Sequence, residues 1–244
     1  NLEDCRRMGE GLRPVHKLML SGGEPFLRED IAEAAGELML GSGARRLDIA
    51  TNGTLPQRII SMSRKFCADF PDRQLNISVS IDGPKEVHNE IRGGDCFDAA
   101  MESLDALVEL SRTMPNLLPS AVLTLSRYDE AVAESALRWL SGRGVPHLDV
   151  AVARGAGRNG ENLAPDADTA REVFAFLDGP GRSRWQGRLG AALARHRRGL
   201  QLAMLEGRGP RLKCCAAAKF VSITPSADVF PCPAYRQPLG NLRQ

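Results

Sequence analysis

Strand-like and helix-like periodicities alternate through the first part of this chain, and that alternation constrains its fold more than any other feature. Strand-like runs fall at Lys17–Leu20, Arg46–Ala50, Asn76–Ile81, Ala121–Leu125 and His147–Ala151. Between them apolar residues recur at helical spacing: Ile31, Ala34, Leu38 and Leu40, then Ile59, Ile60 and Met62, then Ala100, Leu104, Leu107 and Val108, with a further helix over 129–140. Pro56 suits the first turn of the second helix. Regular strand–helix alternation predicts a parallel sheet, because a parallel crossover needs a helix to span it. Five such units are too few for a closed eight-stranded barrel and predict an open, partial one. The first run, extended to His16, reads as a short buried strand.

The pattern changes after residue 153. Residues 154–160 are glycine-rich and polar, a long helical region follows over about 168–205 with a break near Gly179–Gly181, and Gly207-Arg208-Gly209-Pro210 reads as a linker. Lys219–Thr224 and Asp228–Phe230 predict a small hairpin around Pro225-Ser226-Ala227. The expected organisation is a barrel over 1–160, a helical connection over 161–210 and a small β unit over 211–244.

The strand ends carry the chemistry. The first is followed by Ser21-Gly22-Gly23-Glu24-Pro25. Two glycines let the backbone approach a ligand closely, and Pro25 ends the ladder and sets a turn. Glu24 is thereby held at the carboxyl end of a strand, where α/β folds bind ligands, and suits a cationic amine. The second strand ends in Thr51-Asn52-Gly53-Thr54. In Ser78-Val79-Ser80-Ile81-Asp82-Gly83, alternation puts Ser78, Ser80 and Asp82 on one face and the apolar residues on the other. Hydroxyl and amide groups suit ribose, and Arg92 can meet a carboxylate in fork geometry. Asp82, just before a glycine, suits either ligand binding or the turn itself. Amine, carboxylate and ribose together describe S-adenosylmethionine.

GGEP after one strand, TNGT after the next and SIDGPKEVHNEIRG after the third closely resemble radical S-adenosylmethionine enzymes, over about residues 15–154. The resemblance implies an α/β fold, a partial (β/α)6-type TIM barrel with a small C-terminal β-hairpin extension. It assigns Gly22, Gly23 and Glu24 to the methionine amine, Thr51, Asn52 and Ser80 to ribose, and Arg92 to the methionine carboxylate, with Asp82 and Ser126 beside them. The family's three cysteines, spaced C-x-x-x-C-x-x-C, hold a [4Fe–4S] cluster. No such triplet occurs here, and the first strand and cluster loop are expected upstream of Asn1, with residues 1–8 as the helix that follows that loop.

The tail carries a second resemblance. Cys214-Cys215-Ala-Ala-Ala, Pro225-Ser-Ala-Asp-Val-Phe-Pro-Cys232 and Gly240-Asn241 are similar to the auxiliary-cluster (SPASM or twitch) extension. That implies Cys214 and Cys232 as ligands of an auxiliary iron–sulfur cluster, with Cys215 able to replace Cys214. Two glycines of the pattern are alanines here, Ala217 and Ala227. Cys5, Cys67 and Cys96 read as packing residues, and the four histidines form no spaced metal motif.

The activity implied is reductive cleavage of S-adenosylmethionine. One electron breaks the carbon–sulfur bond, giving methionine and a 5′-deoxyadenosyl radical that takes hydrogen from a substrate. The tail points to a peptide or protein side chain, a small molecule being the alternative, and a flavodoxin or ferredoxin is the expected donor. Two other classes compete. A non-catalytic degenerate barrel would bind a peptide or partner without a cluster. Gly155-Ala-Gly157-Arg-Asn-Gly160 matches a dinucleotide-binding fingerprint, but it follows the fifth strand and Pro165 comes soon after. A net charge of +2 gives no electrostatic case for nucleic acid or anionic membrane. With no apolar span, no secretory pattern and no disulfide scaffold, the expected location is the cytoplasm.

Overall fold

Register explains how the sheet presents its two faces. In the computed structural model, which describes residues 1–126, 130–153, 164–179, 187–209 and 213–243, five strands lie parallel in sequence order. They are β1 (Lys17–Leu20), β2 (Arg46–Thr51), β3 (Gln74–Ser80), β4 (Leu117–Leu125) and β5 (His147–Val152). Leu18, Leu47, Leu75 and Leu117 form one cross-sheet row, and Leu20, Ile49 and Ile77 the next on the same side. In-register neighbours of a parallel sheet share a face. This face is covered by α2 (Ile31–Ser42), α3 (Pro56–Asp69) and α5 (Phe97–Ser111), which contribute Ile31, Met39, Ile59, Phe66, Leu104 and Leu107 to the same buried core. A second core packs Leu123, Leu125 and Val150 against α6 (Glu130–Ser141) and α7 (Ala167–Asp178). The other face carries Asp48, Asn76, Ser78, Ser80 and Ser120, the polar side predicted from the alternation of β3. Ser78 and Ser120 hydroxyls lie 2.8 Å apart, so on this face they satisfy each other.

Each strand from β1 to β4 is followed by at least one helix, which is the partial-barrel rhythm. The helix α1 (Leu2–Gly11) precedes β1 and crosses α2 at two glycines. A Cβ on Gly41 would lie 2.5 Å from the Arg6 carbonyl oxygen, and one on Gly9 would lie 2.8 Å from that of Leu38. Backbone-to-backbone contact of this kind admits no side chain.

Several elements depart from the sequence reading. Among the described residues β1 pairs with β2 alone, and Met19 is 64% exposed where the sequence reads as a buried strand. β4 starts at Leu117 and runs through Pro119, although proline reads as a strand breaker. Pairing with β5 begins only at Ser120, so Pro119 lies where β4 has a single neighbour and the missing N–H costs no ladder bond. Lys85–Arg92, inside the SIDG segment, folds as a helix, α4, ended by Gly93 at φ 74°. The motif at 155–160, the break at 180–181 and Pro210 lie outside the described residues.

The chain divides into two compact units, 1–206 and 207–244. α7 and α8 (Gly187–Leu205) belong to the first. In the second, β6 (Ser222–Ile223), shorter than its predicted strand, pairs with β7 (Asp228–Phe230), and a third strand, β8 (Gly240–Asn241), extends the expected hairpin. Asn241 Nδ2 donates to Asp228 Oδ1 at 2.8 Å, which explains the added strand.

Candidate active site at the strand ends

Glu24 is held from both sides. After β1, Gly22 takes φ 132°, a conformation open to glycine, and the positions a Cβ would occupy on Gly22 and Gly23 have no atom within 4 Å. Pro25 starts a 3₁₀ turn, Pro25–Leu27, that Glu24 caps by accepting the Phe26 amide at 3.1 Å. Phe26 is fully buried and fixes the turn to the core. From α3, Arg58 donates to the Phe26 and Leu27 carbonyls, each at 3.2 Å. Two further donors come from the end of β2: the Thr51 hydroxyl reaches Glu24 Oε1 at 2.8 Å, and the Asn52 amide reaches Oε2 at 2.8 Å. The carboxylate thus accepts three hydrogen bonds, set between two open glycines and the neighbouring strand end.

Thr51 stands behind Glu24. Its side chain is buried, donating to Glu24 and accepting the Gly53 amide at 3.0 Å. Asn52 Oδ1 accepts both the amide and the hydroxyl of Thr54. Gly53 has φ 79°, and a Cβ there would lie 2.8 Å from Val79 Cγ1. Ser103 of α5 donates to the Gly53 carbonyl at 2.6 Å. The Thr-Asn-Gly-Thr turn is therefore pinned to β3 and α5.

A second constellation forms at the ends of β3 and β4. Asp82 is buried and accepts Arg92 Nε at 2.6 Å on Oδ2 and the Thr124 amide at 3.2 Å on Oδ1. The guanidinium fork predicted for a ligand carboxylate engages a carboxylate of the protein. The Asp82 amide donates to His88 Nδ1 at 3.1 Å. Burial pushes the His88 imidazole below its ordinary value, against the pull of Asp82. Ser80 is half-buried on the polar face, and Ser126, just past β4, is 9% exposed. Sequence reasoning missed His88, Thr124 and Arg58. His88 had a signal: it precedes Arg92 by four positions, so a helix over 85–92 puts both on one face.

In the second unit Cys214 and Cys215 are exposed and Cys232 is half-buried, all as free thiols. The Ala217 amide donates to the Pro231 carbonyl at 3.3 Å, joining the two cysteine-bearing segments. Ala217 and Ala227 adopt φ 64° and 69°. Both alanines that replace expected glycines thus keep the left-handed backbone that glycine favours.

The donor set fits S-adenosylmethionine in part: an oriented carboxylate for the amine, open glycine backbone and a guanidinium. It does not fit an iron–sulfur cluster. Among the described residues no group of three or more His, Cys, Asp or Glu side chains is arranged to hold a metal. Also among the described residues, no helix is long and apolar enough to cross a membrane.

The family model of the Radical SAM superfamily matches residues 2–119. Curated relatives point the same way. A GTP 3′,8-cyclase of Rhizobium etli is 29% identical over 136 residues, 54% of this chain and 36% of that protein. GTP 3′,8-cyclases of Brucella abortus and Brucella melitensis are 31% identical over 137 residues, again 54% of this chain and 36% of each relative. The match thus spans about a third of the length of these relatives. The family-model match, residues 2–119, covers both strand-end turns and the Asp82–Arg92 pair.

Proposed function

Proceeding from a chain that carries a radical SAM domain over residues 2–119, we propose that the strand-end rim binds S-adenosylmethionine in an enzyme that abstracts hydrogen from its substrate. Gly22, Gly23 and Glu24 take the methionine amine. Arg92, steadied by Asp82, takes the methionine carboxylate. Asn52 and Ser80 face the ribose, Ser126 borders the site at the end of β4, and Thr51 orients Glu24. The observation that carries this reading is the Glu24 carboxylate, oriented by three donors beside two glycines with open space above them. When bound, S-adenosylmethionine supplies the 5′-deoxyadenosyl group as the hydrogen acceptor. The chain's own residues bind and orient it.

A small-molecule substrate is the better-supported reading, because the curated relatives are named for a reaction of GTP. A peptide substrate rests on the C-terminal resemblance alone. For an auxiliary cluster, Cys214 and Cys232 remain the proposed ligands, supported by the backbone link between their segments. The [4Fe–4S] cluster and its reductant, a flavodoxin or ferredoxin, complete the proposal. The test is anaerobic reconstitution of the full-length protein with iron and sulfide, followed by dithionite-dependent formation of 5′-deoxyadenosine. Product that disappears in Glu24→Ala supports the assignment. Undiminished product in that variant overturns the role of Glu24.

A further inference from the structure

His88 is fully buried, and its Nε2 has no hydrogen-bond partner among the described residues. A buried donor without a partner is unfavourable and calls for a reason. The other ring nitrogen supplies one. A backbone amide can only donate, so Nδ1, 3.1 Å from the Asp82 nitrogen, carries the lone pair and the proton sits on Nε2. Phe97 stands edge-on to the imidazole with centroids 5.6 Å apart, and Trp139 packs behind Phe97 at 5.7 Å. The ring is therefore fixed by aromatic packing in an apolar pocket where a phenylalanine would leave no orphan donor. What a phenylalanine lacks is the acceptor for Asp82.

Asp82 has four ties. Its amide goes to His88, one carboxylate oxygen to the Thr124 amide, and the other to Arg92 through both Nε and a terminal nitrogen. His88 and Arg92 lie one helical turn apart, so α4 grips Asp82 twice, at its backbone and at its carboxylate. Gly83 follows at φ 155°, and a Cβ there would lie 3.0 Å from Val87 Cγ1, so the chain turns against α4 at this point. The charged groups facing the ring are Asp82 and Arg92; burial and the Arg92 charge both favour the neutral imidazole, and together they outweigh the pull of Asp82.

We propose that His88 is a positioning residue of the strand-end site: a neutral, Nε2-protonated imidazole that accepts the Asp82 amide and so sets where the Asp82–Arg92 pair presents its guanidinium. Its effect on cofactor binding rests on the reading that this rim binds S-adenosylmethionine. Its tautomer does not.

The experiment has two arms. In ¹⁵N-labelled protein at pH 7, the His88 nitrogens should show the neutral tautomer with the proton on Nε2. An Nδ1–H tautomer or an imidazolium overturns the proposal. In the second arm, calorimetry measures S-adenosylmethionine binding to the reconstituted protein for His88→Phe, His88→Asn and Glu24→Ala. His88→Asn returns an acceptor near the Nδ1 position, whereas His88→Phe fills the space without one. The phenylalanine variant should bind about tenfold more weakly and the asparagine variant should recover most of that loss. If His88→Phe fails to fold, the asparagine variant decides: near-normal affinity supports the role and a tenfold loss overturns it. Weak binding in Glu24→Ala with normal binding in His88→Phe overturns the His88 role alone. Normal binding in both overturns the rim assignment, and the His88 role with it.

Discussion

Replacing Thr51 with valine exchanges a hydroxyl for a methyl at nearly constant volume and removes the brace behind Glu24. The side chain is 3% exposed, so water does not take the place of the lost group. Two hydrogen bonds disappear: the 2.8 Å donation to Glu24 Oε1 and the 3.0 Å acceptance from Gly53. A hydrogen bond to a charged group contributes about 1.5–3 kcal/mol, and an amide left buried and unpaired costs about 1–3 kcal/mol. Glu24 keeps the amides of Phe26 and Asn52, so the lower part of these ranges applies, and the total is about 2.5–4 kcal/mol. For a unit of this size that lowers the melting temperature by roughly 5–15 °C. Affinity for S-adenosylmethionine should fall about tenfold, since the carboxylate loses one of its three orienting donors. Differential scanning calorimetry and isothermal titration on wild type, Thr51→Val and Thr51→Ser measure both effects, and the serine variant should stay close to wild type. A valine variant that matches wild type in melting temperature and affinity refutes the reasoning.

The helix crossing gives a second prediction. Gly41→Ala forces α1 and α2 apart, because the new Cβ would lie 2.5 Å from the Arg6 carbonyl, and should cost about 1–3 kcal/mol in urea denaturation. In the second unit, Ala227→Gly should relieve a left-handed alanine worth about 1–2 kcal/mol against a backbone-entropy cost of about 0.5–1, slowing amide exchange in β6–β8. The pH dependence follows from the buried His88 and the half-buried His147, both held below the ordinary 6.5 chiefly by desolvation. Below 6.5 the unfolded chain takes up protons that the native chain does not, so stability falls as pH drops through that value and is flat above it. Urea midpoints at pH 7.5 and 5.5 should show the decline, and equal midpoints would contradict it.

The repeating strands were legible because period-2 and 3.6 periodicities are local properties. Ile77, Val79 and Ile81 announce the buried side of β3 directly, and all three are fully buried. The exposure of Met19 was not legible, since Lys17–Leu20 does not by itself say which strands lie beside it. The run of β4 through Pro119 was not legible either, because only the stagger of β5 shows that the ladder tolerates a proline there. The strand-end motifs named Glu24, Thr51, Asn52, Asp82 and Arg92 from sequence. They did not show that Thr51 lies behind Glu24, or that Asp82 holds Arg92. The first contact joins residues 27 positions apart and the second residues 10 apart, and neither has a local signature. His88 was passed over because its four-residue spacing to Arg92 carries meaning only once residues 85–92 are known to form a helix.

The most direct test of the central claim is a structure of the reconstituted protein with S-adenosylmethionine bound. The account predicts the methionine amine within hydrogen-bond distance of Glu24, the carboxylate facing Arg92, and the sugar beside Asn52 and Ser80. A ligand bound on the helix-covered face, or anywhere apart from the loop at residues 22–24, contradicts it.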